Sequence, residues 1–271
     1  MKLEDKSILN VRVADGSTVK IEYHEALAST AALAREYANE GYPDRYVVFT
    51  DHQSTAAITG TRLSDGEYEQ GVFISCILRP AFFPAQAGLV SHLSAVALVT
   101  ALEEHTTKSL GLGWVTDVYC DGIKIGGCAI EGKLNNFSSY EYLIVTLAVR
   151  LDDKSFPPRL TDLVRKVFES ENKSISTIIA KTVLNRFFAA YVSIKNPGKH
   201  MDAYHRKFLL RDKKIKYRLG DKKKIVRVVD VNKETGELIV ELRNGEQVSV
   251  KSPSTVIMPK RIKLEARDKN T

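Results

Sequence analysis

The chain has 271 residues, 44% of them hydrophobic, with three cysteines and a formal net charge of +7. This length supports one large domain, or a large and a small one, that folds without disulfides, and three scattered cysteines suit a cytoplasmic or organelle-internal, reducing compartment. No window approaches about 18 uninterrupted apolar residues, and the charged N-terminus lacks the apolar stretch of a signal peptide, so we expect no membrane span. The cysteines and the six histidines show no metal-ligand spacing, and we predict no metal site.

The positive charge is concentrated in the last quarter of the chain. From Met201 onward there are 19 Lys and Arg against 10 Asp and Glu, which leaves 21 against 23 in the first 200 residues. If the positive charge were spread evenly along the chain, both parts would carry a share of it. The distribution therefore indicates that a separate C-terminal region carries the basic character.

The N-terminal half predicts a helix followed by two strands. Ser29-Thr30 is an N-cap candidate ahead of apolar residues with helical spacing, so a helix begins near Ser29. Arg45–Thr50 and Gly71–Leu78 are β-branched and aromatic, as is typical of strands. The loop between them, Asp51–Gln70, has about twenty residues, a length that indicates a binding loop or a disordered segment.

The middle of the chain predicts a buried helix and a three-stranded antiparallel unit. Ala87–Glu104 is rich in Ala, Leu and Val and is expected to be a core helix. Trp114–Tyr119 and Ile123–Glu131 have strand composition, and Asp121-Gly122 between them is a strong hairpin signal. Glu141–Leu151 is expected to be the next antiparallel neighbour.

The C-terminal third predicts helices and then a small all-β module. Helical spacing covers Arg159–Glu169 and Ser174–Tyr191, and the body is expected to end near Tyr204. Short strands with intervening turns follow, in the manner of an SH3-like barrel: Ile225–Val231, Leu238–Leu242 and Gln247–Val250. The predicted divisions are an N-terminal extension 1–20, a main domain 21–204, a β-module 205–262 and a basic tail 263–271.

The element order and four local sequences resemble the biotin protein ligase family over nearly the whole chain. Ser29-Thr30 stands where the family has Ser-Thr-Asn opening the first helix, and Phe49–Gln53 resembles the strand end before the ligand loop. Trp114–Tyr119 is similar to the family's Lys-Trp-Pro-Asn-Asp strand. Lys124–Glu131 is similar to the Lys-Leu-Ala-Gly-Ile-Leu-Val-Glu strand after it.

The resemblance implies a fold and an activity. The implied fold is α/β (α+β), a biotin/lipoyl ligase-like mixed sheet with helices, followed by an SH3-like β-barrel. The implied activity is ATP-dependent attachment of biotin, through biotinyl-adenylate, to a lysine in the biotin carboxyl carrier domain of a carboxylase, with Mg²⁺. Some members carry a winged helix that binds operator DNA. Only about twenty residues precede the first motif here, so we expect no operator binding through a winged helix. Whether the chain forms a homodimer is left open.

The resemblance also implies which residues form the site. Ser29, Thr30 and Gln53 match positions that hydrogen-bond biotin, and Gly127 and Ala129 match small residues that let the backbone approach the ligand. The other positions carried over are Gly60, Gly113 and Asp117.

The sequence departs from the family pattern at the phosphate-handling positions. In the loop Ser54–Arg62 the early arginines are replaced by Ala57 and Thr59, so that Gly60 and Arg62 remain. The motif lysine before Trp114 is Gly113. Since one lost preorganised donor costs roughly 10²- to 10³-fold in rate, catalysis needs replacement cations. The candidates are Arg62, Lys124 and Arg150, the last standing where the family's Gly-Ile-Gly-Ile-Asn strand has asparagine.

Other interpretations remain open. The chain is either an active ligase or a catalytically impaired homologue that binds biotin or a carrier domain as a scaffold; a lipoate or octanoate transferase is a third reading. Without the resemblance, Ser29-Thr30 is an N-cap and Gly126-Gly127 a bulge. The basic run Arg206–Lys224 is a solvated face, a surface that steers an acidic carrier, or a nucleic-acid site with few interleaved aromatic residues.

Overall fold

The computed structural model describes residues 6–54, 69–81, 87–106, 108–151, 175–192, 194, 198–219, 222–259 and 261–264. Within these ranges the chain forms a mixed eight-stranded sheet, an antiparallel five-stranded sheet and helices that cover the larger sheet. This is the mixed α/β architecture expected from the sequence. The predicted helix Arg159–Glu169 lies outside the described residues.

The eight-stranded sheet has the order β1-β2-β3-β4-β8-β7-β6-β5, and its neighbours are antiparallel except β2 and β3. The predicted antiparallel pairing of β7 with β8 is confirmed. The first two strands occupy part of the segment that the sequence assigned to an extension. The strands are β1 Lys6–Arg12, β2 Thr18–His24, β3 Tyr46–Gln53, β4 Glu69–Leu78, β5 Leu110–Leu112, β6 Val118–Cys120, β7 Ile123–Leu134 and β8 Tyr140–Arg150.

Helices cover both faces of this sheet, which explains the long apolar runs in the centres of β4 and β8. On one face, α2 (Ala87–Glu103) and α3 (Ile175–Tyr191) pack against each other and against the central strands. On the other face, α1 (Thr30–Asn39) buries two of its four alanines, Ala34 and Ala38, against the sheet. The predicted N-cap at Ser29 is confirmed, and its hydroxyl accepts a hydrogen bond from the Ala32 amide.

The prediction of a strand at Trp114–Tyr119 is wrong for most of its length. Residues 113–117 form a loop between β5 and β6, closed by the Gly113 N–H donating to the Asp117 carbonyl at 2.8 Å. Tryptophan is a residue type that is typical of strands. Trp114 nevertheless lies in this loop, where it is only 3% exposed. The hairpin predicted at Asp121-Gly122 is confirmed, since both residues have the positive φ of such turns.

The C-terminal region forms α4 and the five-stranded sheet. Helix α4 spans Gly198–Lys207, so the boundary proposed after Tyr204 falls inside it. The three strands predicted here are confirmed, whereas β9 and β13 were not expected. The strands, in the sheet order β12-β11-β10-β9-β13, are β9 Lys214–Leu219, β10 Lys222–Val231, β11 Leu238–Glu241, β12 Gln247–Val250 and β13 Val256–Ile257. Across the described ranges, no helix combines the length and apolar character that a membrane crossing requires.

The smaller sheet is joined to the end of the larger one by buried hydrogen bonds. Trp114 Nε1 donates to the Gly236 carbonyl at 3.0 Å, and the Tyr119 hydroxyl donates to the Pro259 carbonyl at 2.5 Å. The Ile262 N–H donates to the Gly122 carbonyl at 2.7 Å. One hydrophobic core runs through both sheets, so the smaller sheet supports the β5–β7 edge directly.

Gly236 is a position in this joint that tolerates little change. Its φ is +74°, and an added Cβ would lie 2.3 Å from His92 Cε1. Gly245 has a φ of +83° with nothing within 4 Å of the same position. We predict that Gly236→Ala lowers the free energy of unfolding by about 3 kcal/mol or more, from φ strain plus overpacking. Gly245→Ala, the matched control, suffers φ strain alone and should lose about 1 kcal/mol.

Denaturant unfolding of the two variants measures this difference. Equal losses would contradict the close packing of His92 against the Gly236 turn.

Candidate functional site

A side chain from β3 closes the N-terminus of α1. Gln53 Oε1 accepts hydrogen bonds from the Thr30 N–H at 2.9 Å and from the Thr30 hydroxyl at 3.3 Å. Both residues are buried. The backbone around them is also paired, because the Leu27 N–H donates to His52 and the Ser54 N–H donates to Leu27. Two of the residues predicted to hold biotin, Thr30 and Gln53, therefore meet at one point.

Two further hydroxyls extend this contact into the sheet. Ser75 Oγ donates to Thr30 Oγ1 at 3.0 Å and lies 2.9 Å from Thr146 Oγ1. Both are buried within stretches that are otherwise apolar, Val72–Leu78 and Leu143–Val149. Sequence reasoning missed them as site residues, although a lone hydroxyl inside an apolar strand is an available signal. Together with Gln53 they form a continuous chain of buried polar groups, which we call the polar chain: Gln53, Thr30, Ser75 and Thr146.

Small residues form the sheet surface next to the polar chain. The strand registers place Ser75, Thr146 and Ala129 in one row, and Ala148 and Gly127 in the next row of the same face. This is the face that carries α1, since side chains two apart on a strand point to the same side. The predicted residues Gly127 and Ala129 therefore lie on the floor that continues past the N-terminus of α1.

A cation lies beside Gly127. Lys124 Nζ is 2.8 Å from Asp117 Oδ1. A Cβ built on Gly127 would lie 3.0 Å from the Thr116 carbonyl oxygen and 3.5 Å from Asp117 Oδ1, so the 116–117 segment sits directly over this glycine. The absence of a side chain at Gly127 is what permits this close approach. The geometry brings three predicted residues, Lys124, Asp117 and Gly127, into one cluster.

Asp117 is the acidic group of this cluster. Burial raises the pKa of its carboxyl group, and the neighbouring Lys124 ammonium opposes that shift. Its second oxygen, Oδ2, is buried without a hydrogen-bond partner among the described residues. A buried carboxylate oxygen of this kind is unfavourable unless a ligand group or cation satisfies it.

The remaining predicted site residues lie outside the polar chain and the Lys124 cluster. Ser29 is the N-cap of α1, as described above. Arg150 lies at the end of β8, and its Nη2 donates to the Lys124 carbonyl at 3.4 Å. Gly113 is enclosed, because a Cβ there would lie 2.5 Å from Met258 Cε and 2.8 Å from a Tyr119 ring carbon. Gly60 and Arg62 lie outside the described residues.

The loop that carries Asp117 is held by a tyrosine of α4. The buried Tyr204 hydroxyl lies 3.1 Å from the Gly113 carbonyl oxygen and 2.9 Å from that of Val115, and donates to both. Its ring packs edge to face on His92, with centroids 4.7 Å apart. With the Trp114 bond to Gly236, this arrangement holds residues 113–115, the first part of the 113–117 loop.

A second buried polar cluster supports α1 from the side of β2. Glu22 is almost fully buried and accepts hydrogen bonds from the Tyr37 hydroxyl at 2.7 Å and the Tyr46 hydroxyl at 2.5 Å. His24 Nε2 lies 2.8 Å from the same carboxylate. Burial, with the Glu22 charge, raises the pKa of both tyrosines. This cluster anchors the helix to the sheet and was not expected from the sequence.

The cysteines in the described part of the chain are not disposed for thiol chemistry. That part contains no group of three or more His, Cys, Asp or Glu residues that could hold a metal ion. The cysteines Cys76, Cys120 and Cys128 are free, and burial raises the pKa of each thiol, which disfavours the thiolate.

Comparison with known sequences finds relatives over part of the chain. No protein-family model matches it. The chain is 27% identical over 154 residues to the bifunctional ligase/repressor BirA of Bacillus subtilis, a match covering 56% of this chain and 47% of the relative. It is 24% identical over 155 residues to BirA of Bacillus spizizenii, a match that again covers 56% of this chain and 47% of the relative. The matched region thus spans about half the length of these relatives.

Solved structures match the fold over most of the chain. A mutant biotin protein ligase from Aquifex aeolicus, in complex with biotin, has a TM-score of 0.63 at 20% identity and covers 88% of this chain and 97% of its own. The Aquifex aeolicus enzyme with biotin and ATP has a TM-score of 0.61 at 18% identity, over 86% and 95%. A biotin protein ligase-like protein of unknown function from Silicibacter has a TM-score of 0.58 at 12% identity, over 86% and 94%.

The Tyr204 contact leads to a prediction about the 113–117 loop. Tyr204→Phe keeps the ring on His92 but leaves the Gly113 and Val115 carbonyls without this donor, a loss of about 1 to 3 kcal/mol. We expect faster hydrogen exchange at the Gly113 amide. Tyr119→Phe is the matched control, since its hydroxyl bonds Pro259 instead of the loop.

Amide exchange followed by NMR measures the effect. Equal exchange rates at Gly113 in the two variants would contradict a specific role for Tyr204 in holding the loop.

Proposed function

Because its sequence relatives and its fold support membership of the biotin protein ligase family, we propose that this chain condenses biotin with ATP and transfers the biotinyl group to a lysine of a carrier domain. The observation that carries the proposal is the Lys124 ammonium beside Gly127, one strand away from the polar chain. The polar chain suits the binding of biotin, and the Lys124 cluster suits the phosphate of ATP.

The polar chain suits the ring of biotin. The ureido group of biotin presents two N–H donors and one carbonyl acceptor. Hydroxyls both donate and accept, and a glutamine amide does the same, so Gln53, Thr30, Ser75 and Thr146 together offer the complementary set. A lipoyl ring or an octanoyl tail has no such groups at that end. A site built to hydrogen-bond a ligand discriminates against analogues that lack the partner, which supports biotin over lipoate or octanoate.

The cluster beside Gly127 suits the phosphate chemistry. In the first step a biotin carboxylate oxygen forms a bond to the α-phosphorus of ATP, and the bond to pyrophosphate breaks. Negative charge is concentrated there, and a fixed ammonium stabilises it. Lys124 is the cation we assign to this role, held in place by Asp117. In the second step the carrier lysine amine attacks the acyl carbon, AMP leaves, and the amine gives up a proton.

Mg²⁺ is expected with ATP, and the residues present fit it through one carboxylate. Proteins often bind Mg²⁺ through one or two carboxylates together with substrate phosphates. Asp117 is buried and has an oxygen without a hydrogen-bond partner in the described residues, so it is the carboxylate we assign to this position. Bound there, the ion would supply charge neutralisation for the phosphates.

A second candidate function is binding without catalysis. The observation that favours it is the replacement of phosphate-handling positions by Ala57, Thr59 and Gly113. Gly113 is packed against Met258 and Tyr119, so no side chain extends from that position. Such a protein would bind biotin or the carrier domain and release no pyrophosphate.

Incubation with biotin, ATP, Mg²⁺ and a purified biotin carboxyl carrier domain separates the two functions. We expect biotinyl-lysine on the carrier, detected by mass spectrometry, and pyrophosphate released in step with it. Biotin binding by calorimetry without either product would reject ligation and favour the second function. Modification by lipoate or octanoate in place of biotin would reject the assigned substrate.

The role of Lys124 is tested by substitution. Lys124→Ala should lower the adenylation rate by roughly 10²- to 10³-fold, because a preorganised cation is lost at the phosphate. Biotin affinity should change little, since the polar chain is untouched. Lys133→Ala is the control: this lysine lies on the same strand and pairs with the exposed Glu141.

Pyrophosphate exchange measures adenylation without a carrier. Similar rates for the two variants would exclude Lys124 as the phosphate-facing cation.

A further inference from the structure

His92, a buried residue of α2, contacts both groups that hold the 113–117 loop. It is 3% exposed, and its ring packs edge to face on the Tyr204 ring with centroids 4.7 Å apart. It also packs on the Gly236 turn, since a Cβ built on Gly236 would lie 2.3 Å from His92 Cε1 and 2.9 Å from Nε2. Tyr204 and Gly236 each accept or donate a hydrogen bond with the loop. One histidine therefore lies against both supports of the loop.

The hydrogen bonding of His92 fits a neutral ring. Nδ1 lies 2.9 Å from the Gly88 carbonyl oxygen, one turn earlier on the same helix. Because a carbonyl oxygen only accepts, Nδ1 carries the hydrogen of the neutral ring. Nε2 is buried and has no hydrogen-bond partner among the described residues. A proton added at Nε2 would place a new donor and a full positive charge in the interior, which is unfavourable.

The surroundings of His92 give little compensation for a positive charge. From α4 it faces the Tyr204 ring and His205, and the charge of His205 would repel it. The charged side chain of Lys233, in the Gly236 turn, is exposed and pairs with Asp202. The ring also lines a small cavity whose other residues are apolar except one histidine of α4: Leu89, Leu93, Ile194, His200 and Met201.

These surroundings keep the His92 ring neutral at neutral pH. Burial lowers the pKa of His92 from its ordinary value of 6.5, and the carbonyls of Gly88 and Gly236 oppose this shift only in part. The Gly236 carbonyl already accepts the Trp114 indole N–H at 3.0 Å. A protonated His92 would therefore compete with Trp114 for the same oxygen.

We propose that His92 is a pH-sensitive switch that controls the position of the 113–117 loop. A proton added at Nε2 weakens the packing of the ring on Tyr204 and on the Gly236 turn, and the loop is then held less firmly. Asp117 belongs to this loop, so the charged cluster is ordered at neutral pH and loosened in acid. His92 is a positioning residue, because it acts on the cluster through other side chains. The inference concerns the loop and stands independently of the proposed reaction.

The switch should act below about pH 6.5, the ordinary pKa of histidine. A group whose pKa is lower in the folded chain contributes stability that is fully present above its unfolded pKa. As the pH falls from there towards the folded pKa, the loosened state takes up a proton that the closed joint does not. The joint therefore loosens in acid and closes again at neutral pH.

Trp114 reports on the switch directly, because it is the single tryptophan of the chain and is buried in the joint. We follow the quenching of its fluorescence by acrylamide as the pH is lowered from neutral to below 6.5. The quenching constant should rise reversibly by about twofold or more, as expected for a local opening. The far-ultraviolet circular dichroism should stay constant over the same range.

Substitution of His92 separates this switch from other acid-sensitive groups. His92→Phe keeps an aromatic ring against Tyr204 but cannot be protonated, so the pH dependence of quenching should disappear. His105→Gln is the matched control, since this histidine follows α2 and contacts Thr182 instead of the joint. It should retain the full response, and so should His205→Gln. A response that persists in His92→Phe, or that disappears in His205→Gln, would overturn the proposal.

Titration of the His92 ring by NMR in the unaltered chain makes the test independent of how the variants fold. The midpoint of the ring titration should lie below 6.5 and coincide with the midpoint of Trp114 quenching. A ring that titrates without any change at Trp114 would overturn the switch. Loss of the circular dichroism signal over the same range would also overturn it, because general acid unfolding would then account for the exposure of Trp114.

Discussion

The hydrogen bonds from Thr30 to Gln53 determine where the candidate site lies. A helix begins with amide groups that have no partner within the helix, and here a buried strand residue satisfies the Thr30 amide that the N-cap hydroxyl of Ser29 does not. This contact fixes the start of α1 over the middle of the sheet. The polar chain through Ser75 and Thr146 continues from it, and the small residues of β7 and β8 lie immediately beyond.

The second constraint is the joint between the two sheets. Tyr204 holds the carbonyls of the 113–117 loop, and Trp114 ties the same loop to the Gly236 turn. The loop in turn places Asp117 over Gly127 and next to Lys124. The smaller sheet therefore supports the position of the charged cluster, even though none of its strands crosses the candidate site. This gives a physical reason for the C-terminal sheet to accompany the larger one.

Local chemistry was sufficient to predict α1, α2, the hairpin at Asp121-Gly122 and the pairing of β7 with β8. Features set by distant contacts were not predictable. Trp114 has strand-like neighbours, but its indole N–H bonds a residue 122 positions away. Strand β9 has a two-residue alternation, yet its lysines and arginines made it look like a solvated run. For the site, the resemblance pointed to Thr30, Gln53, Lys124 and Gly127, whereas Ser75 entered only through its contacts across the sheet.

The central claim is that the polar chain and the Lys124 cluster are two ends of one ligand site. A crystal structure of the chain with a non-hydrolysable biotinyl-adenylate analogue tests it most directly. The account predicts that the ureido ring contacts Thr30 and Gln53 while the phosphate lies beside Gly127 within hydrogen-bond distance of Lys124. An analogue that binds elsewhere, or that occupies the polar chain with its phosphate directed away from Lys124, would contradict the account.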